Sequence, residues 1–255
     1  MVRKIIRHLK NKTLIRTLLR GPLRRHSVAL YCLYVKAKAE VSSDMIARPH
    51  EIVYVPVNLI NHVVEFDNCR VYNYSKLRIV GKISDGDWDN CNKEEFTNLR
   101  VYKGFKERFV DGKDWEETIF YSEYPSRRKK ISWIEYKEKT LKRYDLLFDE
   151  IRVYGYKAHY KTTNYYRSRD SHIKRPESEI EVGVSRDGEI LFIDGKHRLS
   201  IAKILNIEEV PVIVNHWHKE YIDKVKRVTG EKRLTPSEAI KYALEYNTNY
   251  CQEKR

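Results

Sequence analysis

Three features of the sequence predict a mixed α/β fold of the α+β kind: a small mixed sheet, an inserted helical region, and helical extensions at both ends. The first is a change of period within Ile180 to Val214. Val182 and Val184 alternate with Glu181, Gly183 and Ser185, as in a strand with one buried face. The second feature is EIVYVPVNLI after His50, which alternates as an opening strand and stops near Pro56. The third is a near-heptad stripe of Ile134, Leu141, Tyr144, Phe148 and Ile151, which predicts a long helix from a Ser132 cap to about Tyr154.

The stretch from Ile180 to Val214 carries the most information. Asp187-Gly188 supplies a hairpin turn that accepts positive φ, and Ile190 to Ile193 is an apolar run suited to a strand buried on both sides. From Lys196 the period becomes helical. His197, Arg198, Ile201, Ala202, Ile204 and Leu205 share one broad arc, and Lys196, Ser200 and Lys203 share a narrow polar face. Asn206 ends that helix, and Val210 to Val214 returns as another strand. Asp194 to Arg198 therefore lies where a strand passes into a helix, with unused backbone N–H groups and the positive dipole end available to an anion. A sharp turn at Gly195 and a cap at Asp194 would be needed whatever the protein did. His197 and Arg198 are harder to explain, because cations are disfavoured beside a positive helix end unless an anion offsets them.

Asp194-Gly195-Lys196-His197-Arg198, then Ala202, then Val210-Pro211-Val212 resembles the ParB/sulfiredoxin superfamily. There a strand leads through a Gly-x-His-Arg-like turn into a helix, and a Val-Pro-Val-type strand follows. The resemblance is confined to this stretch and thin elsewhere. It implies a nucleotide or phosphate site at the helix N-terminus, built from Gly195, Lys196, His197, Arg198 and Ser200. Sulfiredoxin chemistry needs a cysteine between the Gly and the His, where this chain has Lys196. The partition proteins carry two basic residues after Gly-Glu and a helix-turn-helix, neither of which is evident. The free-serine kinases, of the Asp-Gly-x-His-Arg type, are the nearest branch.

Composition narrows the partners without choosing one. Fifty Lys+Arg against thirty-six Asp+Glu give a net charge of +14 and a pI near 9.4, which favours nucleotides, nucleic acid, anionic lipid or an acidic glycan. Cys32, Cys69, Cys91 and Cys251 fall in no CxxC or Cys/His metal pattern, which points to reduced cysteines in a cytoplasmic chain. No run is long enough to span a bilayer, and MVRKIIRHLK lacks the apolar core of a signal peptide.

Residues 1–22 form a basic amphipathic segment ahead of the domain at 23–255. Val2, Ile5, Ile6 and Leu9 share one stripe; Leu14, Ile15, Leu18 and Leu19 share another, with a break near Thr13. Its cations suit an anionic membrane surface, placing the chain peripherally at the inner membrane face. Packing of the same leucines on the domain explains them equally. Ser27 to Val41 reads as a helix, and Lys76 to Ile83 as a strand running into Ser84-Asp-Gly-Asp-Trp-Asp89.

Asp87 or Asp89 can bind Mg²⁺ or deprotonate a hydroxyl, and Trp88 can stack a substrate ring. An ordinary acidic turn accounts for the same letters. Helical residues follow in an insertion at about 92–157: Lys93 to Phe109 closed by Asp111-Gly112, the aromatic Trp115 to Tyr124, a basic turn from Pro125 to Lys130, and the long helix. Tyr160 to Pro176 interleaves aromatics with cations, as in a base-stacking surface or a solvated loop. His216 and His218 would share a face if their strand continued, a weak metal signal without a third ligand; the resemblance to Asp-Gly-x-His-Arg sequences, which often have a His near this point, implies His218 as a candidate on the substrate side. Thr235-Pro-Ser-Glu238 is a capping box opening a final helix to about Tyr246.

The expected function is ATP-dependent phosphotransfer, with Mg²⁺, to a hydroxyl of a small metabolite or glycan-like acceptor. Asp194, His197, Asp87 and Asp89 are the candidate catalytic residues, Asp87 and Asp89 the candidate metal ligands. Arg198→Ala is expected to weaken nucleotide binding while folding survives. The alternatives are a nucleotide-binding ParB-like protein that acts on nucleic acid without kinase activity, and a membrane-peripheral accessory factor.

Overall fold

The computed structural model describes residues 24–64, 80–91, 93–124, 131–158 and 179–253, with side chains from 33 to 245. The amphipathic segment 1–22, the first half of the Lys76 to Ile83 strand, the basic turn at 125–130 and the loop from Tyr160 to Pro176 lie outside them.

Helix α1 (Arg24–Val41) leads to strands β1 (Ile52–Pro56), β2 (His62–Val64), β3 (Lys82–Ser84) and β4 (Lys93–Glu95). Helices α2 (Arg100–Phe109), α3 (Ile119–Ser122), α4 (Trp133–Tyr136) and α5 (Lys142–Tyr154) follow, the last two joined by a π-helical turn at Lys137–Leu141. Then come β5 (Ile180–Val184), β6 (Ile190–Asp194), α6 (Lys196–Ile204), β7 (Glu209–His218), α7 (Lys219–Thr229) and α8 (Pro236–Glu253).

Among the described residues the strands make one seven-stranded mixed sheet in the order β1-β7-β5-β6-β2-β4, with β3 also on β7. β7 organises it. β1 runs antiparallel to its first half and β3 parallel to its last three residues, while β5 runs parallel along its other edge. β5 and β6 form the predicted hairpin, with Ser185 N–H bonded to the Glu189 carbonyl and Gly188 at φ +84°. The opening strand and the final capping box also stand where expected: Thr235 N–H donates to Glu238 Oε2 at 2.7 Å.

Side-chain alternation divides the sheet into two unlike faces. Ile180, Val182 and Val184 join Val210, Val212 and Val214 in the main core, under Leu199 and Ala202 of α6 and Ile222 and Val225 of α7. Burying one such side chain is worth roughly 1.5–3 kcal/mol. The inserted helices build a second core from Phe105, Trp115, Phe120, Leu141 and Phe148, joined to the first through Ile201.

Several expectations need correction. Lys93 to Phe109 is not one helix: Lys93–Glu95 pairs with β2, Phe96–Asn98 is a 3₁₀ turn, and α2 starts only at Arg100. Phe96 is fully buried beside Phe192, so the burial of one ring decides what local propensity leaves open. Ser132 does cap the long helix, accepting from Glu135 N–H, but Ile134 of the stripe is 75 % exposed. The π turn shifts the phase of the face after it. Cys91 is disulfide-bonded, contrary to the expectation of reduced cysteines; sequence spacing does not reveal pairing across a fold. No helix among the described residues is long and apolar enough to cross a membrane.

Candidate functional site

Gly195 makes the turn between β6 and α6. Its φ is +95°, and a Cβ there would lie 3.0 Å from the Ile180 backbone, so both dihedral and space require glycine. Asp194 Oδ1 accepts from Gly195 N–H at 2.7 Å, bracing the bend. The N–H groups of Arg198 and Leu199 return to the Gly195 carbonyl. Those of Lys196 and His197 have no partner among the described residues and remain at the open end of the helix. Lys196 and Asp194 are exposed.

The two cations that seemed to demand an external anion are accounted for internally. Arg198 is buried and donates from Nη1 to Glu179 Oε2 at 3.0 Å, a carboxylate that is itself 2 % exposed. His197 stacks on Tyr144 with ring centroids 4.6 Å apart, and its Nε2 is 2.9 Å from the Tyr144 hydroxyl. Burial, with nearby Lys196, pushes its pKa down to about 4, so the ring is neutral at pH 7. Ser200 is completely buried one turn further on, its hydroxyl unpartnered, and is removed from any incoming phosphate. Lys196 and two backbone N–H groups are what the turn offers an anion.

Asp87 and Asp89 do not join this turn. β3, β5 and β7 run in one direction, so Ser84, Val184 and His218 bring their carboxyl ends to one edge of the sheet. β6 runs the other way, with Asp194 opposite Glu181. Four residues of β5 at about 3.3 Å each separate Glu181 from Ser185, on the order of 13 Å. At that far edge Asp89 is buried and accepts from Arg186 backbone N–H and Nε, both at 3.0 Å, and from Nη2 at 2.8 Å. Asp87 accepts from the same Nη2 at 2.7 Å. Burial pushes the Asp89 pKa up, but the Arg186 hydrogen bonds outweigh it and hold it below the usual value. A guanidinium thus stands where Mg²⁺ was expected, and it is supplied by a turn residue with no distinguishing sequence pattern.

Trp88 is 1 % exposed and fills the space above Gly183, whose added Cβ would lie 3.1 Å from the indole. It is a core residue of the sheet's second face, closed to a substrate ring. The strand does continue through His216 and His218, and both rings pack on Trp88. His218 is wholly buried. Its Nε2 bonds the Gly86 carbonyl at 2.8 Å, and its Nδ1 accepts from Glu220 N–H to cap α7. Asp85, His218 and Glu220 offer ligand atoms within 4.8 Å of one another, but both His218 nitrogens already serve the fold, so a metal would have to displace them.

Sequence reasoning missed Glu179, Glu181, Arg186 and Tyr144. The register sets the Glu181 and Asp194 Cα atoms opposite each other. Glu181 is buried and accepts from the Asn215 amide at 2.5 Å. A charged residue inside a strand of otherwise apolar character was the available signal for Glu181; Glu179 stands one residue before that strand.

Burial lowers the pKa of His50 and His197 to about 4 and of His216 to about 3. Their unfolded-state pKa is near 6.5, so the unfolded chain binds more protons between these limits. Stability is therefore expected to fall as pH drops from 6.5 toward 4. NMR titration should show all three rings neutral down to pH 5; a ring of the folded protein titrating near 6.5 would contradict its placement. Comparison with protein-family models, curated proteins and solved structures finds no match to this chain.

Proposed function

We propose that the Asp194–Arg198 turn binds the phosphates of a nucleoside triphosphate and that the protein transfers a phosphoryl group to a small hydroxylated acceptor. The observation that carries this reading is the open N-terminus of α6, where the Lys196 and His197 N–H groups and the exposed Lys196 side chain lie beside the Asp194 carboxylate. The ParB/sulfiredoxin-like motif supports it on the same residues. Backbone N–H groups and the helix dipole attract phosphate oxygens, and Lys196 adds a charge-assisted contact. Asp194 orients the attacking hydroxyl and takes its proton. His197, neutral and held by Tyr144, shapes the floor of the turn without adding charge.

Mg²⁺ accompanying the nucleotide would neutralise phosphate charge. Asp87 and Asp89 do not fit it, because Arg186 occupies them.

The test is calorimetry and thermal shift with ATP, CTP, GTP and ADP, each with and without Mg²⁺. A triphosphate should raise the melting temperature by mass action, and Lys196→Gln should weaken binding about ten- to a hundredfold. Absence of binding by every nucleotide in the folded protein would overturn the reading.

A further inference from the structure

A cavity of about 250 Å³ lies between the end of α1, β3, α7 and the connection from α7 to α8. None of these elements contributes to the Asp194–Arg198 turn. Met45, Ile83 and Ile222 give it apolar walls, and Lys226, Lys232 and Arg233 line it with positive charge. The three cations are not equivalent. Arg233 is committed: Nη1 donates to the Glu40 carbonyl at 3.2 Å, Nη2 donates to the Ala39 carbonyl, and the guanidinium pairs with the Glu40 carboxylate at 3.5 Å. It therefore caps the last carbonyls of α1, and Glu40 cancels its charge. Neither Lys226 nor Lys232 has an acidic partner among the described residues. Lys226 is half-buried one turn after Ile222 in the cavity wall, where a bound anion would offset its charge.

We propose that this cavity binds a small phosphate monoester with a short apolar body, its head between Lys226 and Lys232 and its body against Met45, Ile83 and Ile222. Two unpaired ammonium groups match a dianionic head. The volume, just below the roughly 300–1,000 Å³ of sites for drug-sized ligands, limits the body to a short chain.

Calorimetry on the full chain with hexyl phosphate, inorganic phosphate and 1-hexanol tests this. Hexyl phosphate should bind at least tenfold tighter than either of the others, because only it uses both walls and cations. The double variant Lys226→Gln/Lys232→Gln should lose at least tenfold in hexyl phosphate affinity. Neither lysine belongs to the buried core, so that variant should melt as the parent does. Lys196→Gln should bind hexyl phosphate like the parent, which separates this cavity from the nucleotide turn. Loss of binding in Lys196→Gln alone, equal binding of the three probes, or unchanged affinity in the double variant would overturn the proposal, as would no binding at all.

Discussion

Arg198→Ala is expected to destabilise the protein by about 3–5 kcal/mol, the usual cost of removing one partner of a buried ion pair. The side chains of Arg198 and Glu179 are 9 % and 1 % exposed and 3.0 Å apart. The substitution strands a carboxylate in the interior and releases the first turn of α6 from the start of β5. The motif alone suggested that this variant would keep its fold and lose only nucleotide affinity; the burial of its partner reverses that ordering. In a chain of 255 residues the loss corresponds to a melting-temperature drop of about 10 °C, and urea denaturation gives the free energy directly. The double change Arg198→Met/Glu179→Met should recover most of the loss, because a buried pair can be exchanged for apolar groups at small net cost. A folded Arg198→Ala variant with an unchanged urea midpoint would show that the pair contributes nothing.

The same residue shows what the sequence could and could not reveal. The strand, glycine turn, helix and returning strand from Ile180 to Val214 were legible because each rests on local signals: period two, Asp187-Gly188, Asp194-Gly195 and period 3.6; the run of that last strand on to His218 was not. The capping box at Thr235 was legible for the same reason. Pairing across the fold was not. Nothing near Arg198 names Glu179, and nothing near Asp89 names Arg186, since each partnership is made by the packing of elements distant in sequence. The acidic turn looked like a metal site because Asp87 and Asp89 were visible together and their guanidinium was nearly a hundred positions away. Ser200 and Trp88 failed for a related reason. A serine on a narrow polar arc and a tryptophan amid aspartates read as exposed until tertiary packing buries them completely or nearly so. β4 was hidden in a charged stretch, where sheet pairing with β2 overrides weak propensity.

Asp194→Asn is expected to lower phosphoryl transfer by about 10²–10⁴, the usual contribution of a positioned general base. Nucleotide affinity should change only a few-fold, because proton abstraction is felt in the transition state. The variant is a fair test of chemistry. An asparagine carbonyl oxygen can still accept from Gly195 N–H at the position now held at 2.7 Å, so the turn and its glycine should persist. Asp87→Asn and Asp89→Asn separate the two edges of the sheet. Both lie with Arg186 on the far edge and should leave turnover unchanged. Asp89→Asn should instead lower stability, by weakening charge-assisted bonds to Arg186 within a buried site. The measurement is ADP release from ATP and Mg²⁺, screened with free serine, sugars and polyprenyl-linked sugars, then repeated on each variant with the acceptor that responds. Full turnover in Asp194→Asn would remove this carboxylate from the mechanism. Loss of turnover in Asp87→Asn with retained stability would return catalysis to the far edge. Tight nucleotide binding with no transfer to any acceptor would leave a nucleotide-binding protein rather than a kinase.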